Sequence, residues 1–229
     1  MPKALSPRPG GNRRSRPTAQ TGLPREVTDE LQRVTKPTQL RDAVSRLARA
    51  AELLERGDSG AAAAEAAKAR QLSPRSAAVR EVLGLALYGQ ERWQEAAAEL
   101  KAYRRFSGRA DQNHVIADCF RALGKPEDVV PLAEEELRSK APNEAKAEAV
   151  VVAASALADQ GRFAEALAFL GRAKTRESMS EPYTLRLWYV RGDILQKAGR
   201  NDEAATEFRR IMRHDATAFD TAERLAGLA

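Results

Sequence analysis

Few residues in this chain could do chemistry, and their spacing argues against most of it. The 229 residues include two histidines, His114 and His214, and one cysteine, Cys119. His114 and Cys119 are five positions apart. On a helix that is about 500° of turn, so the two side chains face different sides and cannot work as a nucleophile and its base. No metal-ligand spacing is present, and there is no phosphate-binding glycine loop and no serine elbow. Cys119 reads as a small buried residue. His114 reads as an exposed surface residue rather than an acid–base group. Carboxylates are abundant as helix-surface charges, and the run Glu134–Glu136 reads as a solvated face. The expectation is a protein that is not an enzyme and carries no metal and no cofactor.

The other chemical feature is a cluster of cations. Residues 1–25 hold Lys3, Arg8, Arg13, Arg14, Arg16 and Arg25, with no acid. The whole chain has 38 basic and 32 acidic residues, so its net charge of +6 comes from this segment. Pro2, Pro7, Pro9 and Pro17, with Gly10–Gly11, oppose a helix there, and apolar residues to offset ordering entropy are lacking. A disordered tail is expected. One reading is a solubilising extension. The other is an anion-binding arm that contacts the phosphates of a nucleic acid or ribonucleoprotein, weakly and with steep salt dependence. No aromatic is interleaved, so base stacking is not suggested.

Elements must position whatever function there is. Hydrophobic residues make up 43% of the chain and aromatics only 5%, with alanine carrying much of the apolar share. No alternating β run stands out, and the expected fold class is all-α. The lone cysteine suits a reducing compartment. The N-terminus lacks an apolar signal region, and the longest apolar run, Ala149–Ala158, is too short to span a bilayer. A cytoplasmic protein with no membrane association is expected.

Residues 185–211 set the pattern. They read as two amphipathic helices, A and B, joined at Gly199, which can take positive φ and end helix A. Gly192 has no Cβ, so helix B can approach closely, with Ala204 as the small residue meeting it. Trp188, Leu195 and Phe208 supply the surrounding apolar surface. Four earlier copies align on the same turn. They start near residues 43, 77, 110 and 147, with the fifth near 185, at spacings of 34, 33, 37 and 38.

Trp188, Gly192, Ala204 and Phe208 fall at the offsets of the tetratricopeptide repeat, a helix–turn–helix unit of about 34 residues. Arg191 stands in place of the usual Leu, and Leu195 in place of the usual Tyr. The stretch from about residue 40 to 212 thus resembles that family. The resemblance implies a right-handed superhelical solenoid of about five repeats with a concave groove lined by the A helices. It also implies a non-catalytic scaffold that takes a peptide or protein surface. Its groove offsets select Glu52, Leu85, Tyr88, His114, Asp118, Arg121, Val151, Ser155, Tyr189, Asp193 and Lys197, with Tyr88 and Tyr189 as anchors. The offsets of the family's chaperone-tail carboxylate clamp hold Leu47, Glu52, Val82, Asp111 and Val115, none of them a cation or amide, so that ligand is not expected.

The expected layout is a basic tail over residues 1–37, with a short helix at 24–34, and a repeat domain over 38–229. Pro24 would open the short helix and Pro37 would break the chain before the array. Repeat three departs most, with Pro126 and Pro131 in helix B, and is expected to be the loosest. Tyr103 stands where the family has a small residue. Thr175–Thr184 reads as a long loop, and residues 216–228 as a capping helix favouring a monomer.

Overall fold

Alternating amphipathic segments and glycine turns fold into helix pairs. The structure is a computed structural model that describes residues 22–173 and 182–228. The pairs are α2 (Pro37–Glu55) with α3 (Ser59–Leu72), α4 (Ala77–Tyr88) with α5 (Trp93–Ser107), and α6 (Asn113–Ala122) with α7 (Val129–Arg138). They continue with α8 (Asn143–Asp159) and α9 (Phe163–Leu170), then α10 (Pro182–Lys197) and α11 (Asn201–His214). A leading helix, α1 (Arg25–Val34), packs on α2 and α4, and a closing helix, α12 (Thr221–Ala226), packs on α11. Each A helix also lies against the A helix of the next pair, in the order α2, α4, α6, α8, α10. Among the described residues no sheet intervenes, and the core runs along the seam between A and B helices.

The A–B turns share one design. Gly57, Gly124, Gly161 and Gly199 take φ between 69° and 81°. In each turn, the amide of the following residue donates back to the carbonyl five residues earlier, as Arg200 N to Leu195 O at 2.9 Å and Arg162 N to Leu157 O at 3.0 Å. This bond closes helix A and reverses the chain. In the second repeat Glu91 occupies the position at φ 61°. In three of the five repeats helix B then opens with an arginine that grips a glutamate three residues on. Arg92–Glu95, Arg162–Glu165 and Arg200–Glu203 are all two-pronged, at 2.6–2.7 Å.

Several expectations are corrected by packing. The atoms nearest to Gly192 belong to Phe208; a Cβ there would lie 2.7 Å from the Phe208 ring. The helix foreseen at 24–34 does form, and it is built into the stack. Leu31 is fully buried, Thr35 Oγ1 and Ser73 Oγ are 2.7 Å apart, and Glu30 caps α4 by accepting from Ser76 Oγ and Ala77 N, both at 2.8 Å. Pro37 does not break the chain but opens α2, where its missing N–H costs nothing. Pro131 is the third residue of α7, again within a first turn, preceded by a 3-10 turn at Pro126–Asp128. Tyr103 fits because it is buried and donates its hydroxyl to Asp111 at 2.7 Å. Pro182–Thr184, read as loop, form the start of α10, while residues 174–181 lie outside the described residues. The closing helix is shorter than foreseen, because Phe219 takes positive φ (56°) and only Thr221 of α12 is fully buried.

Candidate partner-binding face on the A helices

The residues selected for the groove divide into a sealed set and an open set. Leu85, Tyr88, His114, Asp118, Val151 and Tyr189 are all 8% exposed or less. The A helices pack so closely side by side that these positions form the floor of the face. Glu52, Arg121, Ser155, Asp193 and Lys197 keep access to solvent.

The floor is tied together by polar bonds that cross from one repeat to the next. Tyr88 on α4 donates its hydroxyl to Asp118 Oδ2 on α6 at 2.5 Å. Arg121 donates Nε to Asp118 Oδ1 at 2.8 Å and Nη1 to Asp159 Oδ2 on α8 at 3.0 Å. Burial, the Asp118 charge and this bond push the Tyr88 hydroxyl far above its usual range, so it stays a donor. Burial alone would lower the Arg121 pKa, but Asp118 and Asp159 raise it overall. At the C-terminal end, Tyr189 donates to Asp220 Oδ1 at 2.5 Å, and its ring lies 4.6 Å from that of Phe219. Arg224 of α12 and Lys197 share Asp193, at 2.7 and 2.8 Å. On α2, Glu52 pairs with Arg49 at 3.0 Å and with Arg56.

A second polar seam lies nearer the start of the A helices. His114 is 1% exposed, not the exposed residue foreseen. Its partner Glu136 is fully buried, not part of a solvated face. Glu136 Oε2 accepts the backbone N–H of His114 at 2.7 Å, and Oε1 lies 2.9 Å from Nδ1. Gln112 donates to Glu81 at 2.9 Å, and Arg186 to Glu148 at 2.9 Å. Cys119 is buried as foreseen, and burial pushes its thiol up to about 12, which leaves no thiolate for nucleophilic chemistry.

The sequence reading missed the acids that complete these bonds: Asp159, Asp220, Glu136 and Glu148. A signal existed. Partners sit about one repeat apart, as Tyr189 and Asp220 at 31 positions and Arg121 and Asp159 at 38. Of the six cations of residues 1–25, Arg25 is the first residue of α1 and lies 3.7 Å from Asp29. Lys3, Arg8, Arg13, Arg14 and Arg16 lie outside the described residues. Among the described residues, no group of three or more His, Cys, Asp or Glu could hold a metal ion, and no helix is long and apolar enough to cross a membrane.

Stacked helix pairs joined across repeats, each contacting its neighbours along one axis, define a helical-repeat solenoid. The chain belongs to the tetratricopeptide repeat family, whose model matches residues 42–111 and 153–220. The intervening residues hold the third repeat, with its two prolines. Among solved structures, the chain is similar to YrrB, described as a TPR protein with an unusual peptide-binding site, at 17% identity and a TM-score of 0.54, covering 86% of this chain and 96% of that one. It is also similar to TTC0263, a thermophilic TPR protein of Thermus thermophilus, at 17% identity and a TM-score of 0.65, covering 81% and 98%. No curated protein matches the chain.

Proposed function

We propose that the protein is a non-catalytic scaffold whose A-helix face docks a peptide or protein surface. One observation carries this reading. Open residues of both signs, Glu52, Arg121, Ser155, Asp193 and Lys197, stand on a floor held in place by bonds between repeats. Such a surface is preorganised, so a partner would lose little affinity to ordering it. Mixed charge favours selectivity over bulk attraction. The peptide-binding site named for YrrB supports the same use of the fold. Tyr88 and Tyr189 serve here as parts of the floor rather than as anchors, because their hydroxyls are engaged by Asp118 and Asp220.

A monomer is proposed, supported by α1 and α12 covering the two ends of the stack. A cytoplasmic location is proposed from the single buried thiol.

The test is site-specific photo-crosslinking in the source cell. A benzophenone side chain is placed at Ser155 or Lys197 on this face, and at Ala98 on helix B as a control. The expected result is a discrete, protease-sensitive and nuclease-resistant adduct from the first two positions only. Adducts from Ala98 alone, or adducts that nuclease removes, would overturn the assignment.

A further inference from the structure

The A-helix face has an occupant at its last repeat, and the occupant is part of this chain. Residues 219–224, which lead into α12 and form its start, stand over three side chains of α10. The Tyr189 hydroxyl donates to Asp220 Oδ1 at 2.5 Å, and the Phe219 ring lies 4.6 Å from the Tyr189 ring, tilted by 38°. Arg224 donates Nη2 to Asp193 Oδ1 at 2.7 Å and Nε to Gln196 Oε1 at 2.9 Å. Its guanidinium also lies 5.9 Å from the centre of the Tyr189 ring. Tyr189 and Asp193 are two of the positions selected for docking on this face.

This occupant is held less firmly than the helices of the stack. The bond from Tyr189 to Asp220 repeats the one from Tyr88 to Asp118. Asp118, however, is 6% exposed on a helix with eight buried residues, whereas Asp220 is exposed and α12 buries only Thr221 fully. Leu225 and Leu228 add half-buried contacts. Phe219 is 40% exposed and takes φ 56°, a left-handed backbone that is costly for a bulky aromatic residue. Release of the segment would relieve that angle. It would also leave Asp193 paired, because Lys197 lies 2.8 Å from its other oxygen.

The side chains under the segment also dictate what can replace it. Burial and the bond to Asp220 push the Tyr189 hydroxyl above its usual range, so it stays a donor and calls for an acceptor opposite it. Asp193 calls for a cation, and the Tyr189 ring offers a face to an aromatic group. Resting on the reading of this face as a docking surface, we propose that its α10 part takes a partner segment entering a helix with an aromatic residue, an aspartate directly after it and an arginine four positions beyond the aspartate. Residues 219–224 fill this site when no partner is bound. They carry the same three groups at the same spacing, with Asp220 as the residue before the first turn of α12. Partner and segment therefore compete for one set of contacts, and the apparent affinity of the partner is lowered by the fraction of chains that are closed.

The test titrates the full chain with a fluorescein-labelled alanine-based dodecapeptide carrying Phe, Asp and Arg at that spacing and no leucine. Anisotropy reads affinity, and amide chemical shifts locate the site. Binding should tighten about tenfold in the double variant Asp220→Ala, Arg224→Ala, which loosens the segment and leaves the α10 side chains in place. The single variant Arg224→Ala should shift affinity the same way by less, with circular dichroism unchanged in both. Shifts are expected at Tyr189, Asp193 and Gln196, and adding Asp193→Asn to the double variant should weaken binding severalfold. No binding, equal affinity for the chain and the double variant, or equal binding by a peptide with Phe, Asp and Arg replaced by alanine would overturn the proposal. If the peptide fails while a crosslinker at Ser155 on α8 still gives its protein adduct, this inference falls and the docking face stands. Peptide binding without the Ser155 adduct would support the α10 site and remove the wider face. Self-association of the chain in sedimentation, lost in Asp193→Asn, would overturn the proposal in favour of residues 219–224 of a second copy.

Discussion

His114 and Glu136 illustrate how one pair can hold two helices and respond to pH. Glu136 on α7 caps α6 through the His114 amide and meets the imidazole as well. Burial alone would lower the imidazole pKa, but Glu136, with Glu148 and Asp111 beyond it, raises it overall. Burial also pushes the Glu136 carboxyl up, and the imidazole only partly offsets that. Both shifts mean that the folded state holds protons more tightly than the unfolded one. The His114 share of stability is therefore complete below about pH 6.5 and is lost as pH rises through the folded value. Replacing His114→Leu should cost on the order of 3 kcal/mol in urea unfolding near pH 6, because Glu136 stays buried without its partner. That gap should narrow toward pH 9. A gap independent of pH would mean that the pair does not titrate with folding.

At the scale of elements, two positions test how the repeat is built. Gly192 lets α11 approach α10, and a methyl group there would press into the Phe208 ring, which is fully buried. Gly192→Ala should therefore destabilise by about 1–3 kcal/mol, read as a lower thermal midpoint with helical content retained. Glu91 bears the steric strain of a left-handed turn that glycine takes in the other repeats. Glu91→Gly should raise stability by up to about 1 kcal/mol, after the entropy that glycine adds to the unfolded chain. A loss on that substitution would show that the turn tolerates the side chain for a reason other than its backbone angles.

The whole molecule behaves as a line of neighbours rather than a sphere. The helices α4, α6 and α8 are buried along most of their length, whereas α12 has one fully buried residue. Native-state amide exchange should be slowest in α4 and α8 and fastest in α12, with α1 held above fraying by its Glu30 cap. Equal protection in α12 and α8 would indicate that the stack opens only as a unit. This gradient bears on function, since the proposed docking face runs over the protected helices.

Sequence by itself determined the helices, the five A–B turns and the family. Those signals are local: apolar residues at helical spacing and, in four of the five turns, a glycine able to take positive φ. The positions of Gly192, Phe208 and Gly199 were legible for that reason. That the Phe208 ring lies nearest to Gly192 was not, because the residue opposite a glycine depends on how two helices cross. The fate of the polar residues was decided by tertiary structure alone. His114 and Glu136 looked exposed on single helices, and Tyr88 looked like an anchor. The acids that engage His114 and Tyr88 lie 22 and 30 positions away, brought within hydrogen-bonding distance when α7 folds back on α6 in the first case and when successive repeats stack in the second. Burial in a solenoid is set by the neighbouring repeat, and one helix's own pattern does not contain it.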